Sequence, residues 1–149
     1  MGTPGSIGRT STKLGRPTYK SGLEKEFREV LKNTTETFKY EPIRMYIEYP
    51  STIGYYKPDW VDEDRKVIIE TKGLLTNSDR KKALLIKKYF PEWSSIFVFS
   101  RPKNRLSKKS KTTYADWCNQ NEIAWISISD LWKDPKCLST MIQKLKNGS

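Results

Sequence analysis

The spacing of apolar positions changes several times along the chain, and each change marks a new element. Residues 21–34 carry apolar side chains one helical turn apart, which predicts a first helix (Leu23, Phe27, Val30 and Leu31). Residues 37–49 are rich in Tyr, Phe and Ile and predict one or two strands. Residues 55–61 and 66–71 predict two further strands, which form a hairpin around a charged turn at residues 62–65.

The second half of the chain alternates helices and strands. A cap at Asn77 or Ser78 predicts a helix over residues 79–89, and an apolar run predicts a buried strand over residues 95–100. After a basic loop at residues 101–111, the pattern predicts a helix over 113–120, a strand over 124–128 and a helical segment from residue 130. This order predicts an α/β fold.

Residues 1–20 have a different composition from the rest. They contain four glycines, two prolines and no acidic residue, which predicts a flexible basic arm without a core. The basic residues of this arm are Arg9, Lys13, Arg16 and Lys20. Residues 21–149 are then long enough to form a single domain that buries a sizeable core.

The chain is strongly basic, and this charge indicates which class of partner it binds. Lys and Arg number 28 against 17 Asp and Glu, a net charge of +11, and a field of that sign most often serves a nucleic-acid backbone. No run of about 18 apolar residues is present to span a membrane, and the first ten residues lack the apolar core of a signal peptide. We therefore expect a soluble, cytoplasmic protein with no membrane partner.

Histidine is absent from all 149 residues, which narrows the possible chemistry. Its absence excludes Ser-His and Cys-His nucleophiles, histidine acid–base catalysis and histidine-ligated zinc. Cys118 and Cys137 lack C-x-x-C spacing, so we expect reduced thiols that bind no metal. Any hydrolytic chemistry must come from carboxylates, lysines and a metal that prefers oxygen ligands.

The clearest chemical signal is Pro58-Asp59 on one predicted strand and Glu70-Thr71-Lys72 on the next. Strand alternation places Glu70 and Lys72 on one face, and an antiparallel hairpin can bring Asp59 beside Glu70. Two carboxylates and an ammonium suit phosphodiester hydrolysis. The carboxylates hold magnesium or manganese, and the lysine orients a water or stabilises developing charge. The backbone carbonyl of Thr71 could supply a further ligand.

Purely structural interpretations of these acids also stay open. Asp59 can open a turn, while Glu70 and Lys72 can form a solvated pair on an edge strand. The string from Ser21 to Glu24 fits a capping box, in which the glutamate returns a hydrogen bond to the start of the helix. Glu24 can equally point from the first helical turn into a metal site as a third carboxylate.

Four strings, in order along the chain, share their residues with a known family. They are Ser21-Gly22-Leu23-Glu24, Pro58-Asp59 with Glu70-Thr71-Lys72-Gly73, Asp79-Arg80-Lys81-Lys82 with Leu84-Leu85-Ile86, and Phe97-Val98-Phe99-Ser100. From about residue 20 to residue 132 the chain resembles the phage endonuclease I family of Holliday-junction resolvases. The resemblance implies a restriction-endonuclease-like core, with a mixed central sheet flanked by helices. It also implies cutting of four-way and other branched DNA in the host cytoplasm.

The resemblance also assigns the site residue by residue. The implied catalytic residues are Glu24, Asp59, Glu70 and Lys72. The implied metal ligands are Asp59, Glu70, Thr71 and Glu24. We expect magnesium, which manganese can replace, with two ions per site. Where the family's type member has an additional glutamate, this chain has Lys39, so that acid is absent or moved to Glu41 and is left out of the set.

A four-way junction has two-fold symmetry and must be cut on two strands, so we expect a homodimer. The resemblance further implies a dimer with exchanged segments, in which Glu24 serves the partner's active site. Residues 46–56, which contain Pro50 and Gly54, would form an extended bridge between the two halves.

Clustered basic residues are expected to contact DNA phosphates. They are Arg9, Lys13, Arg16 and Lys20 in the arm, Arg80, Lys81 and Lys82 at a helix start, and Arg101, Lys103 and Arg105 in the basic loop. Two alternatives remain, a restriction- or transposon-type nuclease of the same fold and a non-catalytic basic DNA-binding protein. The acids beside Lys72 argue against the second, because a pure phosphate binder gains only repulsion from them.

Overall fold

The structure is a computed structural model of the chain, and it describes residues 5–9, 22–48 and 53–147. The strands are β1 (Ser6–Arg9), β2 (Lys39–Tyr40), β3 (Ile43–Glu48), β4 (Ile53–Tyr56), β5 (Trp60–Asp62), β6 (Val67–Lys72), β7 (Ser94–Phe99) and β8 (Ala124–Ser127). The helices are α1 (Gly22–Lys32), α2 (Asn77–Tyr89), α3 (Tyr114–Gln120), α4 (Ile128–Lys133) and α5 (Lys136–Asn147). The predicted α/β order is confirmed.

The strands form two sheets. The larger sheet has the order β2-β5-β6-β7-β8, antiparallel from β2 to β6 and parallel from β6 to β8, so it is mixed. The smaller sheet has the order β1-β3-β4 and is antiparallel throughout. The predicted hairpin of residues 55–61 and 66–71 is confirmed for β5 and β6. Residues 53–56, however, belong to the smaller sheet.

Strand alternation explains how helices cover both faces of the larger sheet. In β6, Val67 and Ile69 are buried in a cluster with α1, α4 and α5, whereas Ile68 is buried in a second cluster with α2. In β7, Phe97 and Phe99 are buried in a third cluster with α3. The sheet therefore lies between helices, and β6 at its centre is buried along most of its length.

One expectation about the N-terminal half differs from the structure. The sequence predicts a flexible arm without a core over residues 1–20, but Ser6–Arg9 forms a strand that pairs with β3. The backbone amide of Gly5 also donates to the Tyr89 carbonyl at 3.3 Å, so long-range backbone hydrogen bonds hold a segment whose composition predicts no ordered element. Lys13, Arg16 and Lys20 lie outside the described residues.

The ends of the predicted bridge over residues 46–56 pair with each other in this chain, because β3 and β4 are antiparallel with Tyr46 opposite Tyr55. Residues 49–52 lie outside the described residues, and a bridge between two halves of a dimer stays a prediction. Pairing satisfies the backbone amides and carbonyls that a lone extended bridge would leave exposed.

The remaining expectations concern a cap, the thiols and the membrane. The cap of α2 is Thr76, not Asn77 or Ser78, because the Thr76 hydroxyl accepts from the Asp79 amide while the Asp79 carboxylate accepts from the Thr76 amide.

Cys118 and Cys137 are free thiols, as expected, and burial raises the pKa of Cys118 to about 12. No helix in the described part of the chain has both the length and the apolar character needed to cross a membrane.

Candidate active site

The β5–β6 hairpin places Asp59 directly beside Glu70. The register pairs Trp60 with Ile69, and one step further along the ladder the Asp59 amide donates to Glu70 Oε1 at 3.0 Å. The amide and the hydroxyl of Thr71 both donate to Asp59 Oδ2, at 3.0 and 2.9 Å. Each carboxylate is thus held by a backbone amide of the opposite strand, which confirms the predicted adjacency of the two acids.

Lys72 follows at the end of β6, and its ammonium lies between two carboxylates. Lys72 Nζ is 3.8 Å from Glu70 Oε2 and 3.1 Å from Asp79 Oδ1. Asp79 stands in the first turn of α2, where its other oxygen closes the capping box with Thr76. The start of α2 therefore fixes an acid against the predicted catalytic lysine.

Glu24 reaches the same region from the first turn of α1. It is buried, and its carboxylate accepts a hydrogen bond from the Tyr40 hydroxyl. The Tyr40 ring packs on Trp60, with centroids 5.0 Å apart, so Glu24 is tied to the strand that follows Asp59. Ser21, the proposed capping partner of Glu24, lies outside the described residues. The structure brings Glu24, Asp59, Glu70, Thr71 and Lys72 to one cleft.

The two central carboxylates carry strongly perturbed pKa values. Burial is the largest cause in both cases, and it raises the pKa of Glu70 to about 8, with a further increase from the Asp59 charge. Burial and the Glu24 charge raise the pKa of Asp59 to about 6 against the lowering effect of its bonds to Thr71. Tyr56 lines the same cleft, and burial together with the Glu70 charge raises its pKa well above the usual value.

Burial acts on the pKa of Lys72 in the opposite sense, because it disfavours the charged ammonium. Burial lowers its pKa, but the attraction of Glu70 and Asp79 outweighs that effect, and the net shift is upward. The pKa of Asp79 is lowered, because its hydrogen bonds to Thr76 and the charge of Lys72 together outweigh burial. Lys72 is therefore a permanently charged donor at neutral pH.

These residues line an open cleft of roughly 400 Å³. Its lining combines acids, lysines and tyrosines: Glu24, Tyr55, Tyr56, Lys57, Asp59, Glu70, Thr71, Lys72, Asp79 and Lys82. Because charged and hydroxyl groups make up most of this lining, the cleft suits a polar, charged substrate that would lie against the carboxylates.

Asp59 and Glu70 fit a divalent cation of the magnesium type. Carboxylate oxygens are the ligands that magnesium prefers, and the half-buried Asp59 and the buried Glu70, both with raised pKa values, are a pair that a bound cation would stabilise in the charged form. No group of three or more Asp, Glu, Cys or His side chains within residues 5–9, 22–48 and 53–147 is arranged to hold an ion. Asp59 and Glu70 would therefore need water, backbone or substrate oxygens as further ligands, and magnesium commonly retains such ligands.

Three contacts of the site were not predicted from the sequence. In each contact the two residues belong to different elements. The contacts join Tyr40 to Glu24, Tyr56 to Glu70 and Asp79 to Lys72. Only Asp79 leaves a local signal, since Thr76-Asn77-Ser78-Asp79 is the pattern of a capping box and places an acid on the first turn after the lysine strand. Glu41, the possible substitute acid, pairs with Lys57 at 3.2 Å, and Lys39 is exposed.

The structure distributes the predicted DNA-binding residues unevenly. Lys82 lines the cleft, and Lys81 beside it is exposed. Arg80 instead donates to the Leu75 carbonyl at 2.8 Å, and Arg9 pairs with Glu63. In the basic loop, the predicted residues Arg101, Lys103 and Arg105 are all exposed.

A mixed α/β domain that holds two buried carboxylates and a charged lysine in an open cleft has the site chemistry of a nuclease. Comparison with known proteins narrows this class. The family model for phage endonuclease I matches residues 5–139. The chain belongs to the phage endonuclease I family.

Two relatives show the extent of the similarity. Endodeoxyribonuclease 1 of Enterobacteria phage T3 is 37% identical over 105 residues, which cover 70% of this chain and 68% of that protein. Endonuclease I of Escherichia phage T7 is 34% identical over 121 residues, which cover 79% of this chain and 80% of that protein. Both aligned stretches cover more than two thirds of each protein, so the similarity extends well beyond a single motif.

Proposed function

We propose that this protein is a structure-selective DNA endonuclease that resolves four-way and other branched junctions by metal-dependent phosphodiester hydrolysis. The observation that carries the proposal is the contact of Asp59 with Glu70, 3.0 Å from amide to carboxylate, beside the charged end of Lys72. The names of the phage T3 and T7 relatives support nuclease activity and, for the T3 protein, DNA as the substrate.

The acids of the cleft would bind the metal. Asp59 and Glu70 would hold magnesium or manganese, and a site with two ions would also use Glu24 and the Thr71 carbonyl. When bound, the metal supplies Lewis-acid polarisation of the phosphodiester and lowers the pKa of the attacking water. Thr71 keeps Asp59 oriented through its amide and hydroxyl, and the Asp59 amide does the same for Glu70.

Lys72 has the protonation state of a charge stabiliser rather than of a base. Its raised pKa keeps the ammonium charged at neutral pH, so Lys72 can donate to a phosphate oxygen as negative charge develops there. Asp79 accepts a hydrogen bond from Nζ and acts as a positioning residue. The basic residues of the cleft and loop would bind the DNA arms.

Selectivity for branched DNA is proposed because the described residues contain few elements outside the sheets and helices of the core. Beyond the two sheets and their helices, the described residues offer little with which to read bases. Recognition of shape is therefore favoured over recognition of sequence. In a phage-infected cell the protein would act in the host cytoplasm.

Cutting two strands of a symmetric junction calls for a homodimer, and we propose one with exchanged segments. The β3–β4 hairpin is compatible with exchange, because rotating the chain between these strands would let β1, α1, β2 and β3 pack on a partner with the same contacts. Glu24 would then lie in the partner's cleft.

The proposal is tested by incubating the protein with a synthetic four-way junction, a matched linear duplex and supercoiled plasmid, with magnesium, with manganese and with chelator. We expect cutting near the branch point with either metal and intact duplex under the same conditions. Cutting of the duplex at a defined sequence would support the restriction-type alternative. Binding of the junction without any metal-dependent cutting would support a non-catalytic DNA-binding protein.

A further inference from the structure

The smaller sheet turns one face inward and the other outward. Its inward face is apolar, and the side chains that β3 contributes to it are buried against α2 (Ile43, Met45 and Ile47). Strand alternation therefore places Arg44 and Tyr46 on the outer face, and the cross-strand partner of Tyr46 is Tyr55 on β4. The outer face thus carries two tyrosines and an arginine where a solvated sheet normally carries small polar residues.

Arg44 and Tyr46 hold the Tyr55 ring in place. The Arg44 guanidinium lies over the ring, 5.2 Å from its centroid, and the Tyr46 ring lies 6.0 Å away at an interplanar angle of 55°. Tyr55 nevertheless remains 56% exposed. Arg44 therefore packs on the ring without burying it, and more than half of Tyr55 stays accessible to a ligand.

Tyr55 also stands at the cleft. It lines the cleft together with Asp59 and Glu70, as does the next residue, Tyr56. Among the large exposed apolar and aromatic side chains of the described residues, it is the one that belongs to this lining. Lys57 and Lys82 line the same cleft, so a polyanion that enters it meets positive charge beside an open aromatic ring.

We propose that Tyr55, backed by Arg44, is a stacking platform for an unpaired base of a DNA strand that enters the cleft. The inference rests on the proposed function, because it assumes that DNA occupies this cleft. Aromatic rings bind bases of any sequence through their faces, and an arginine behind the ring keeps it rigid through a cation–π contact. Paired bases in a duplex hide their faces in the stack. An exposed ring therefore favours DNA with unpaired bases over continuous duplex.

The test uses the full chain in chelator, so that binding is measured without cutting. One probe is a synthetic Y-shaped DNA with two non-complementary arms, and the other is a fully paired duplex of the same length. Stacking on one base corresponds to at least about a fivefold change in affinity, so Tyr55→Ala should weaken binding to the Y-shaped DNA by that factor relative to the duplex. Tyr55→Phe, which keeps the ring, should restore the preference.

Two controls separate stacking from general damage. Trp132→Ala truncates another exposed aromatic, 46% exposed and outside the cleft lining, and should not change the ratio of the two affinities. 5-Iodouracil placed at the first unpaired position should crosslink to Tyr55 under light, as mapped by mass spectrometry. An unchanged affinity ratio in Tyr55→Ala, or crosslinks confined to other residues, would overturn the platform.

Failure of the platform is distinguishable from failure of the nuclease. If the unmutated chain crosslinks at Tyr55 but cuts no junction with magnesium or manganese, the platform stands and the proposed activity falls. If the chain cuts junctions with either metal and Tyr55→Ala retains the unmutated affinity ratio, the activity stands and the platform falls.

Discussion

The ammonium of Lys72 lies closer to Asp79 than to Glu70, at 3.1 Å against 3.8 Å. Glu70 is its neighbour on the same strand, whereas Asp79 comes from the first turn of α2 and is itself held by the Thr76 cap. The helix start therefore controls where the lysine points. This relationship gives Asp79 a role that the sequence alone does not reveal.

We expect Asp79→Asn to lower the rate of junction cutting by about ten- to a hundredfold, because a misplaced lysine no longer meets the developing charge. The loss should appear in kcat, with junction affinity little changed. Single-turnover cutting and separate binding measurements in chelator check this.

The matched control for Asp79→Asn is Asp116→Asn. Asp116 closes the same kind of capping box with Thr113 at the start of α3, and it lies outside the cleft lining. Both variants should lose a similar, small amount of thermal stability from the damaged cap, while Asp116→Asn keeps the unmutated cutting rate. Equal cutting rates in the two variants would show that Asp79 acts only as a cap.

Glu70→Gln should reduce cutting by at least about a hundredfold, because it removes a charged ligand and weakens the electrostatic stabilisation of the transition state. The amide is nearly isosteric, and burial that raises the pKa of Glu70 to about 8 already favours its neutral form, so the melting temperature in chelator should not fall. Junction binding in chelator should survive.

Glu92→Gln makes the same chemical change at an exposed glutamate outside the cleft lining and should cut normally. Lys72→Ala should resemble Glu70→Gln in its loss of cutting. Two results would contradict the proposed metal-dependent mechanism. One is a Glu70→Gln or Lys72→Ala variant that cuts at the rate of the unmutated protein, and the other is cutting by the unmutated protein in chelator.

Complementation tests the exchanged dimer. A chain with Glu24→Ala and a chain with Glu70→Ala should each be inactive, and they are mixed under conditions that allow subunits to exchange. If Glu24 serves the partner's cleft, the mixed dimer contains one intact site and one doubly damaged site, and nicking of the junction should return. If each site is built within one chain, as the described β3–β4 hairpin allows, every site carries one lesion and no nicking appears.

The salt dependence of junction binding tests the N-terminal basic residues. Replacing Lys13, Arg16 and Lys20 by alanine should weaken binding and reduce the slope of log affinity against log salt, by up to about 0.9 for each phosphate that these side chains neutralise. Arg9→Ala should change the slope less per residue, because Arg9 already pairs with Glu63. An unchanged slope in the triple variant would exclude these residues from phosphate binding.

Local pattern determined much of the fold and the centre of the site. The helices and the strands of the larger sheet follow from apolar spacing, which depends on near neighbours in the chain. The adjacency of Asp59 and Glu70 follows from a short hairpin with a two-residue side-chain period, and the structure confirms it.

Tertiary structure alone decided the parts that depend on distant pairing. Ser6–Arg9 becomes a strand because β3 offers it an edge, and residues 53–56 join the smaller sheet because β3 pairs with them. The hydroxyls of Tyr40 and Tyr56 reach Glu24 and Glu70 from separate strands, which no local pattern encodes. The spacing of residues along the chain determines which side chains share a face of a helix or strand. Which element packs against that face depends on contacts between residues far apart in the sequence, and these form only when the whole chain folds.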